Sequence, residues 1–389
     1  MTSRLTRRRA AALRDRGLRP LSRSLRAGGR AGHARRARRA ATALAGALVL
    51  LTAAACGSSA GGPGGSGGPG GPGGGPGRTT VTLALDWTPN TNYTGIYVAE
   101  AKGYFAAHGV TLKKVPYATT APETLISHRQ ADFGFSYQAG VAYAQAAGQD
   151  VVSVFAPDQR GIYAIGVRAN RADIATPRDL DGKTYAGFGT PDEQPELRYV
   201  IQHAGGRGTF KDVTLNTSAY DALYTGKADF SITASTWEAV EAKLAGKPLK
   251  LFAPTDYGFP DQYSTLIATS RAFLGAHADA ARRFLAAASE GYAYAAAHPD
   301  EAADIVVARN PGVFSNPRLV HDSEAALVAG GFLRDASGQV GTQNPTIWAR
   351  YGDFLFDHGL LVDGSGKKLA ARPDWSAYYT DAYLPADRH

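Results

Sequence analysis

Apolar and polar side chains alternate over residues 81–85, Val-Thr-Leu-Ala-Leu, and the alternation breaks at Thr88-Pro89 into a run rich in hydrogen-bonding groups. Period-two alternation predicts a strand ending near Leu85. Ile96, Ala99 and Tyr104 then fall at helical spacing, which predicts a helix over 94–108 with His108-Gly109 as its stop. A strand over 110–117, a helix from Pro122 to about Arg129, a buried strand over 131–136, a helix to Gly148 and a strand over 151–155 follow by the same reasoning. Strands alternating with helices predict βαβ units and a mostly parallel sheet.

A second run repeats the plan, with strands over 183–188, 213–216 and 228–233 and helices over 193–203, 220–225 and 236–245. Arg129-Gln130-Ala131-Asp132-Phe133-Gly134 is echoed by Gly226-Lys227-Ala228-Asp229-Phe230-Ser231, each phrase following a short helix and entering a strand. Two lobes of common plan are therefore expected. Apolar strands over 163–168 and 263–269 flank the second unit and are candidates for a two-strand hinge. From Arg271 onward the pattern reads as helices separated by Pro299, Pro311, Pro317 and Pro345, packing back on the first lobe.

Charge changes the picture at the N-terminus. The chain carries a formal +8, but residues 1–40 hold fourteen Arg and one Asp, or +13, and residues 41–56 hold no charge, which leaves −5 beyond Cys56. A basic segment confined to a leader excludes a nucleic-acid partner. The uncharged run Ala40 to Ala55 is shorter than the roughly 20 apolar residues of a membrane span, and it ends at Ala53-Ala54-Ala55-Cys56-Gly57, which contains the chain's single cysteine. Residues 1–55 are expected to be a signal peptide. Cys56 resembles a bacterial lipoprotein processing site, although Ala53 stands where such sites usually have Leu. Residues 56–78 are then a lipidated Cys followed by a Gly/Pro-rich tether that cannot bury enough surface to order itself. The first lobe is expected over 79–165 and, after the second lobe at 166–264, again over 265–389.

This plan resembles the two-lobed solute-binding components of bacterial ABC importers, with the α/β periplasmic-binding-protein type II fold. Leu85-Asp86-Trp87-Thr88-Pro89-Asn90-Thr91-Asn92-Tyr93-Thr94-Gly95, followed by Ala101-Lys102-Gly103-Tyr104-Phe105, is similar within that group to the family that binds thiamine-pyrimidine precursors. The resemblance implies a small heteroaromatic ligand, an ABC permease as partner, a lipid-anchored extracytoplasmic location and a monomer without cofactors. The same family contains a eukaryotic pyrimidine synthase whose lysine and histidine would fall at Ser136 and Gly140 and whose cysteines would fall near 261–267; none of those residue types stands there. A Schiff base needs a lysine amine, so a binding protein rather than an enzyme is expected. The nine His show no His-Glu-x-x-His spacing, and Gly-x-Ser-x-Gly occurs only within the Gly-rich stretch 57–68.

Ligands of open α/β sheets sit outside the carboxyl ends of the strands. Those ends read as neutral and aromatic-rich, with Glu193 as the one nearby acid, which suits a flat heterocycle. Trp87 is expected to line the pocket, and Glu193 to pair with an aminopyrimidine or, alternatively, to complement a helix dipole. Asn90 either binds ligand or caps the helix near Thr94, and Asp86 either binds ligand or braces the turn. Tyr137, Phe188, Trp237 and Tyr257 are further wall candidates, whereas Lys102 and Tyr104 read as structural. A riboflavin-like heterocycle and a sulfonate, nitrate or taurine are the alternative ligands; Tyr93 departs from the His expected in many pyrimidine binders.

Overall fold

The structure, a computed structural model, describes residues 78–386. The expected signal segment, Cys56 and the Gly/Pro-rich tether lie outside the described residues. Among the described residues no helix is long and apolar enough to cross a membrane.

The first sheet is built from β1 (Thr79–Ala84), β2 (Val110–Val115), β3 (Phe133–Ser136) and β4 (Val152–Phe155), joined by helices α1 (Thr94–Ala101), α2 (Tyr104–Ala107), α3 (Pro122–Ser127) and α4 (Gln138–Ala146). The second contains β5 (Tyr163–Arg168), β6 (Thr184–Gly187), β7 (Lys211–Thr214), β8 (Phe230–Ala234) and β9 (Leu249–Phe252), with α5 (Glu193–His203), α6 (Ser218–Thr225) and α7 (Glu238–Leu244). The chain then returns to the first sheet as β10 (Leu266–Thr269), and continues into α8 (Arg271–Ala276), α9 (Ala278–Ala297), α10 (Pro299–Arg309), α11 (Arg318–Ala329) and α12 (Pro345–Asp357). The expected helix over 94–108 is two helices, because Gly103 adopts φ +77 between them.

The two sheets have the same plan. Their orders are β2-β1-β3-β10-β4 and β7-β6-β8-β5-β9. In each, three parallel strands are followed by one antiparallel strand, β10 or β5, with the last strand beyond it. Each sheet is therefore mixed, and the two candidate hinge strands do not pair with each other: β5 belongs to the second sheet and β10 to the first. The crossings are the segments that precede these strands. They are tied together by Asp261 Oδ1, which accepts from the Gly161 amide at 2.9 Å, and by Ser264 Oγ, which accepts from the Ile162 amide at 2.9 Å.

The sequence echo has a common stereochemical basis. Asp132 Oδ2 accepts from the Thr82 amide at 2.8 Å and Asp229 Oδ2 from the Thr184 amide at 2.8 Å, so each Asp clips its strand to the neighbouring parallel strand. Three residues before each Asp the backbone is left-handed, at Arg129 (φ +58) and Gly226 (φ +79).

The C-terminal helices do more than cover the first lobe. α9 packs against α1 at a close approach of Gly95 and Gly291; a Cβ on Gly291 would collide with the Gly95 carbonyl, and one on Gly95 would collide with the Tyr292 ring. α11 reaches the entry of α1, where Glu324 Oε2 accepts from Thr94 Oγ1 at 2.7 Å and the Ser323 and Thr91 hydroxyls lie 2.7 Å apart. α12 lies against α4 and also touches the second lobe, with Phe354 packed on Phe259 at 4.7 Å between ring centroids.

Candidate functional site

A cleft of about 740 Å³ opens where the carboxyl ends of the first three strands of one sheet face those of the other. Nine aromatic side chains line it, together with six carboxylates: Asp86, Glu123, Asp192, Glu193, Glu196 and Glu238. Among the described residues, no Lys, Arg or His lines it. The expectation of a neutral pocket with Glu193 as its one acid is corrected here. Glu123, Asp192, Glu196 and Glu238 were hidden because they sit at the starts of helices and turn inward only in the fold. Asp192, Glu196 and Val200 share one face of α5 at four-residue spacing, and Glu238 shares a face of α7 with Ala242. An acid in register with a buried apolar stripe is the signal that could have revealed them.

On the first lobe, β1 delivers Asp86 and Trp87 past its last paired residue. Tyr93 donates to Asp86 Oδ1 at 2.5 Å. Burial pushes the Asp86 carboxyl up to about 6, the Tyr93 bond opposing it and the nearby Glu123 charge adding to it. Asp86 thus both braces the Tyr93 ring and faces the cleft. The Trp87 ring lies 5.3 Å from Tyr117 and 5.5 Å from Phe188 of the second lobe, the latter edge to face.

Asn90 is buried at the cleft wall and serves as a cap: its Oδ1 accepts from the Asn92 amide at 2.8 Å and its Nδ2 donates to the Thr88 carbonyl at 3.0 Å. The capping alternative accounts for its polar atoms. Ser136 and Gly140 sit at the same wall. The Ser136 hydroxyl donates to Glu123, and a Cβ on Gly140 would press on Glu123 and Tyr137. Burial holds the Glu123 carboxyl above its usual range, Ser136 opposing it.

On the second lobe, the loop after β6 folds over the Glu193 carboxylate. The amides of Phe188, Gly189 and Thr190, the Thr190 hydroxyl and the Tyr185 hydroxyl all donate to it at 3.0 to 3.3 Å. Gly189 (φ +87) makes that wrap possible. With five donors on two oxygens, Glu193 organises the loop that presents Phe188, which reassigns the ligand-pairing role expected of it. The acids that remain available flank it. Asp192 accepts from the hydroxyls of Tyr143 on α4 at 3.2 Å and Tyr351 on α12 at 3.1 Å. Glu196 is 3 % exposed, takes one long bond of 3.4 Å from Gln262 Nε2, and its Oε1 has no hydrogen-bond partner. Glu238 accepts from the Ala234 amide at 3.0 Å, and burial pushes its carboxyl up to about 7.

Tyr137, Phe188 and Trp237 line the cleft with Trp87, as their place at strand ends suggests. Tyr257 does not. It closes the short 3-10 helix Pro254–Tyr257 and packs partly buried against the hydrophobic core, so its expected wall role is not supported by its position. Lys102 is structural, bonded to Glu301 at 2.5 Å and to the Tyr294 hydroxyl at 2.9 Å. Tyr143, Tyr163, Tyr220 and Gln262 join the cleft from positions that strand-end reasoning did not reach, since they lie on helices, at the start of β5 and on the return crossing.

A formylaminopyrimidine-binding protein of Halalkalibacterium halodurans is 28 % identical over 72 % of this chain and 86 % of its own. The riboflavin-binding protein RibY of Chloroflexus aurantiacus is 26 % identical over 80 % of this chain and 87 % of its own. Among solved structures, the alkanesulfonate-binding protein SsuA from Xanthomonas axonopodis pv. citri bound to MOPS superposes with a TM-score of 0.56 at 16 % identity, covering 74 % of this chain and 96 % of that one, a likeness of fold. The two-lobed α/β architecture is the periplasmic-binding-protein fold. The profile of the family described as NMT1/THI5 like matches residues 90–302, more than half of the chain and both walls of the cleft, and the protein belongs to that family.

Proposed function

We propose that this protein is the extracytoplasmic solute-binding component of an ABC importer and that it captures an aminopyrimidine precursor of thiamine. The observation that carries this reading is the cleft lining: aromatic rings and carboxylates from both lobes, with no cationic side chain. Aromatic faces stack on a flat ring, and carboxylates accept from exocyclic amines and protonated ring nitrogens in charge-assisted bonds. A sulfonate or nitrate would enter a field of like charge with no Arg or Lys to meet it. The relative named for formylaminopyrimidine binding supports the same ligand class.

Capture works by closure. Phe188 and Asp192 of the second lobe approach Trp87, Tyr143 and Tyr351, and a ligand favours that arrangement through contacts available only when the lobes meet. The closed form is what a membrane permease recognises, and a diacylated Cys56 holds the monomeric protein near that permease through its tether. The protein performs no chemistry on the ligand.

The cleft volume favours a second reading. At about 740 Å³ the space exceeds the needs of a single six-membered ring, and a flavin-sized heterocycle would occupy more of it. Isothermal titration of the purified protein with hydroxymethylpyrimidine, formylaminopyrimidine, riboflavin and an alkanesulfonate decides between them. Binding of a pyrimidine in the micromolar range or tighter, without sulfonate binding, is the expected result; binding of sulfonate alone overturns the proposal.

A further inference from the structure

Glu196 is a group the closed cleft does not explain. Its Oε1 lies buried without a hydrogen-bond partner, at the wall of the cleft, one helical turn from the Asp192 carboxylate. A buried acceptor left unpaired costs about 1–3 kcal/mol, a cost that a donor on a ligand in the cleft would remove. Three elements from outside the second sheet surround the pair. Tyr143 from α4 and Tyr351 from α12 donate to Asp192, and Gln262 from the return crossing donates to Glu196 Oε2. Two tyrosine hydroxyls hold the first carboxylate in place, and the second keeps one oxygen open. The charges acting on Glu196 are those of Asp192 and Glu193, both negative, and the tyrosines that face it are Tyr143, Tyr185 and Tyr351. No cation is among them.

We propose that Glu196 and Asp192 form the receptor for an alkylammonium group, so that the ligand class is a heteroaromatic ring bearing a basic side-chain amine. This rests on the preceding reading for the ring and adds the side chain. Trp87, Phe188 and Tyr137 serve the ring, and the amine reaches the α5 acids. An ammonium is matched to the site on three counts: it donates up to three hydrogen bonds, its charge offsets one of the two adjacent carboxylates, and it fits where no protein cation competes. A hydroxymethyl group could hydrogen-bond Oε1 but carries no charge to draw the carboxyl into its anionic form.

The site also titrates. Burial pushes the Glu196 carboxyl up to about 8, the Asp192 and Glu193 charges adding to it and the Gln262 bond opposing it. In the free protein at neutral pH the carboxyl is therefore largely protonated. When an ammonium docks, the carboxyl gives its proton to the buffer and the anion pairs with the cation. Binding releases up to one proton.

The test compares matched amine and alcohol probes on the purified full chain by isothermal titration at pH 7. The first pair is 4-amino-5-aminomethyl-2-methylpyrimidine against its 5-hydroxymethyl counterpart; the second is benzylamine against benzyl alcohol. The expected result is at least tenfold tighter binding of the amine in the pyrimidine pair, with a proton released in buffers of differing ionisation enthalpy. Glu196→Gln should bring that ratio to within about threefold of unity and abolish proton release, with the circular dichroism unchanged. Equal wild-type affinities within a pair that binds overturn the proposal without recourse to the variant, as does a preference that survives Glu196→Gln. If neither pyrimidine binds but benzylamine outbinds benzyl alcohol, the amine receptor stands and the pyrimidine reading falls. If no amine in either pair binds, the receptor falls.

Discussion

The indole of Trp87 and the phenyl ring of Phe188 meet edge to face across the cleft, 5.5 Å between centroids and 71° between planes. One ring stands at the end of the first strand of the first lobe and the other at the end of the first parallel strand of the second. Under the proposed function, a ligand ring taken between the lobes contacts this pair. Trp87→Ala should therefore weaken ligand binding by about 1.5–3 kcal/mol, the value of a buried large apolar side chain, or roughly ten- to a hundredfold. Because Trp87 is only partly buried in the protein itself, the thermal midpoint of the free protein should change little; calorimetric titration and melting of the same preparation check both statements.

Glu193→Gln behaves in the opposite way. The amide keeps the shape of the carboxylate but loses the charge that gathers the Phe188, Gly189 and Thr190 amides. Bonds to a charged group contribute about 1.5–3 kcal/mol each, so chemical denaturation should show a loss of about 2 kcal/mol. Ligand affinity falls secondarily, as Phe188 loses its support. Unchanged stability would show that the loop does not depend on this anion.

Stability of the free protein should fall as pH rises. Glu324 is buried between α11 and α1, and burial pushes its carboxyl from 4.5 up to about 8, the Thr94 hydroxyl opposing and the Asp158 charge adding. Between those values the folded state holds a proton that the unfolded state has released, so the contribution of this group to stability is full below pH 4.5 and is lost progressively up to about pH 8. Glu324→Gln keeps the Thr94 bond and cannot ionise. The wild-type protein should lose more stability than the variant between pH 5 and 8 in parallel melts.

The contact of α1 with α9 leaves no room at Gly291, where a Cβ would strike the Gly95 carbonyl. Overpacking of this kind costs typically 1–3 kcal/mol. Gly291→Ala should lower the unfolding free energy from chemical denaturation by about that amount without altering the identity of the ligand, as titration of the variant would show.

Much of the architecture was legible in the chain because its elements are short and strongly patterned. α5 runs over the residues its apolar spacing predicts, and the Ala-Asp-Phe echo marks equivalent strands with equivalent Asp clips. The strand Leu249–Phe252 was not legible, since four residues between a Gly-Lys-Pro turn and a 3-10 helix carry no periodicity to read. The pairing of the crossing strands was also hidden, because partner choice depends on contacts distant in sequence. At the site, residues following strand ends were found and residues on helix faces were not. Glu123, Glu196 and Glu238 read as ordinary acids in a first helical turn until the tertiary fold turns them inward. Glu193 shows the converse: its position was legible, but the loop wrapped around it was not.

The edge strand β4 touches its sheet through β10 alone, and β10 lies on the far side of the entire second lobe in the chain. The second sheet, by contrast, is continuous in sequence from β5 to β9. A polypeptide emerging from its N-terminus can therefore complete the second sheet while the first still lacks the strand that docks β4, and loop closure across the intervening lobe must precede completion of the first. The N-terminal lobe, though first in sequence, is therefore the last to be completed.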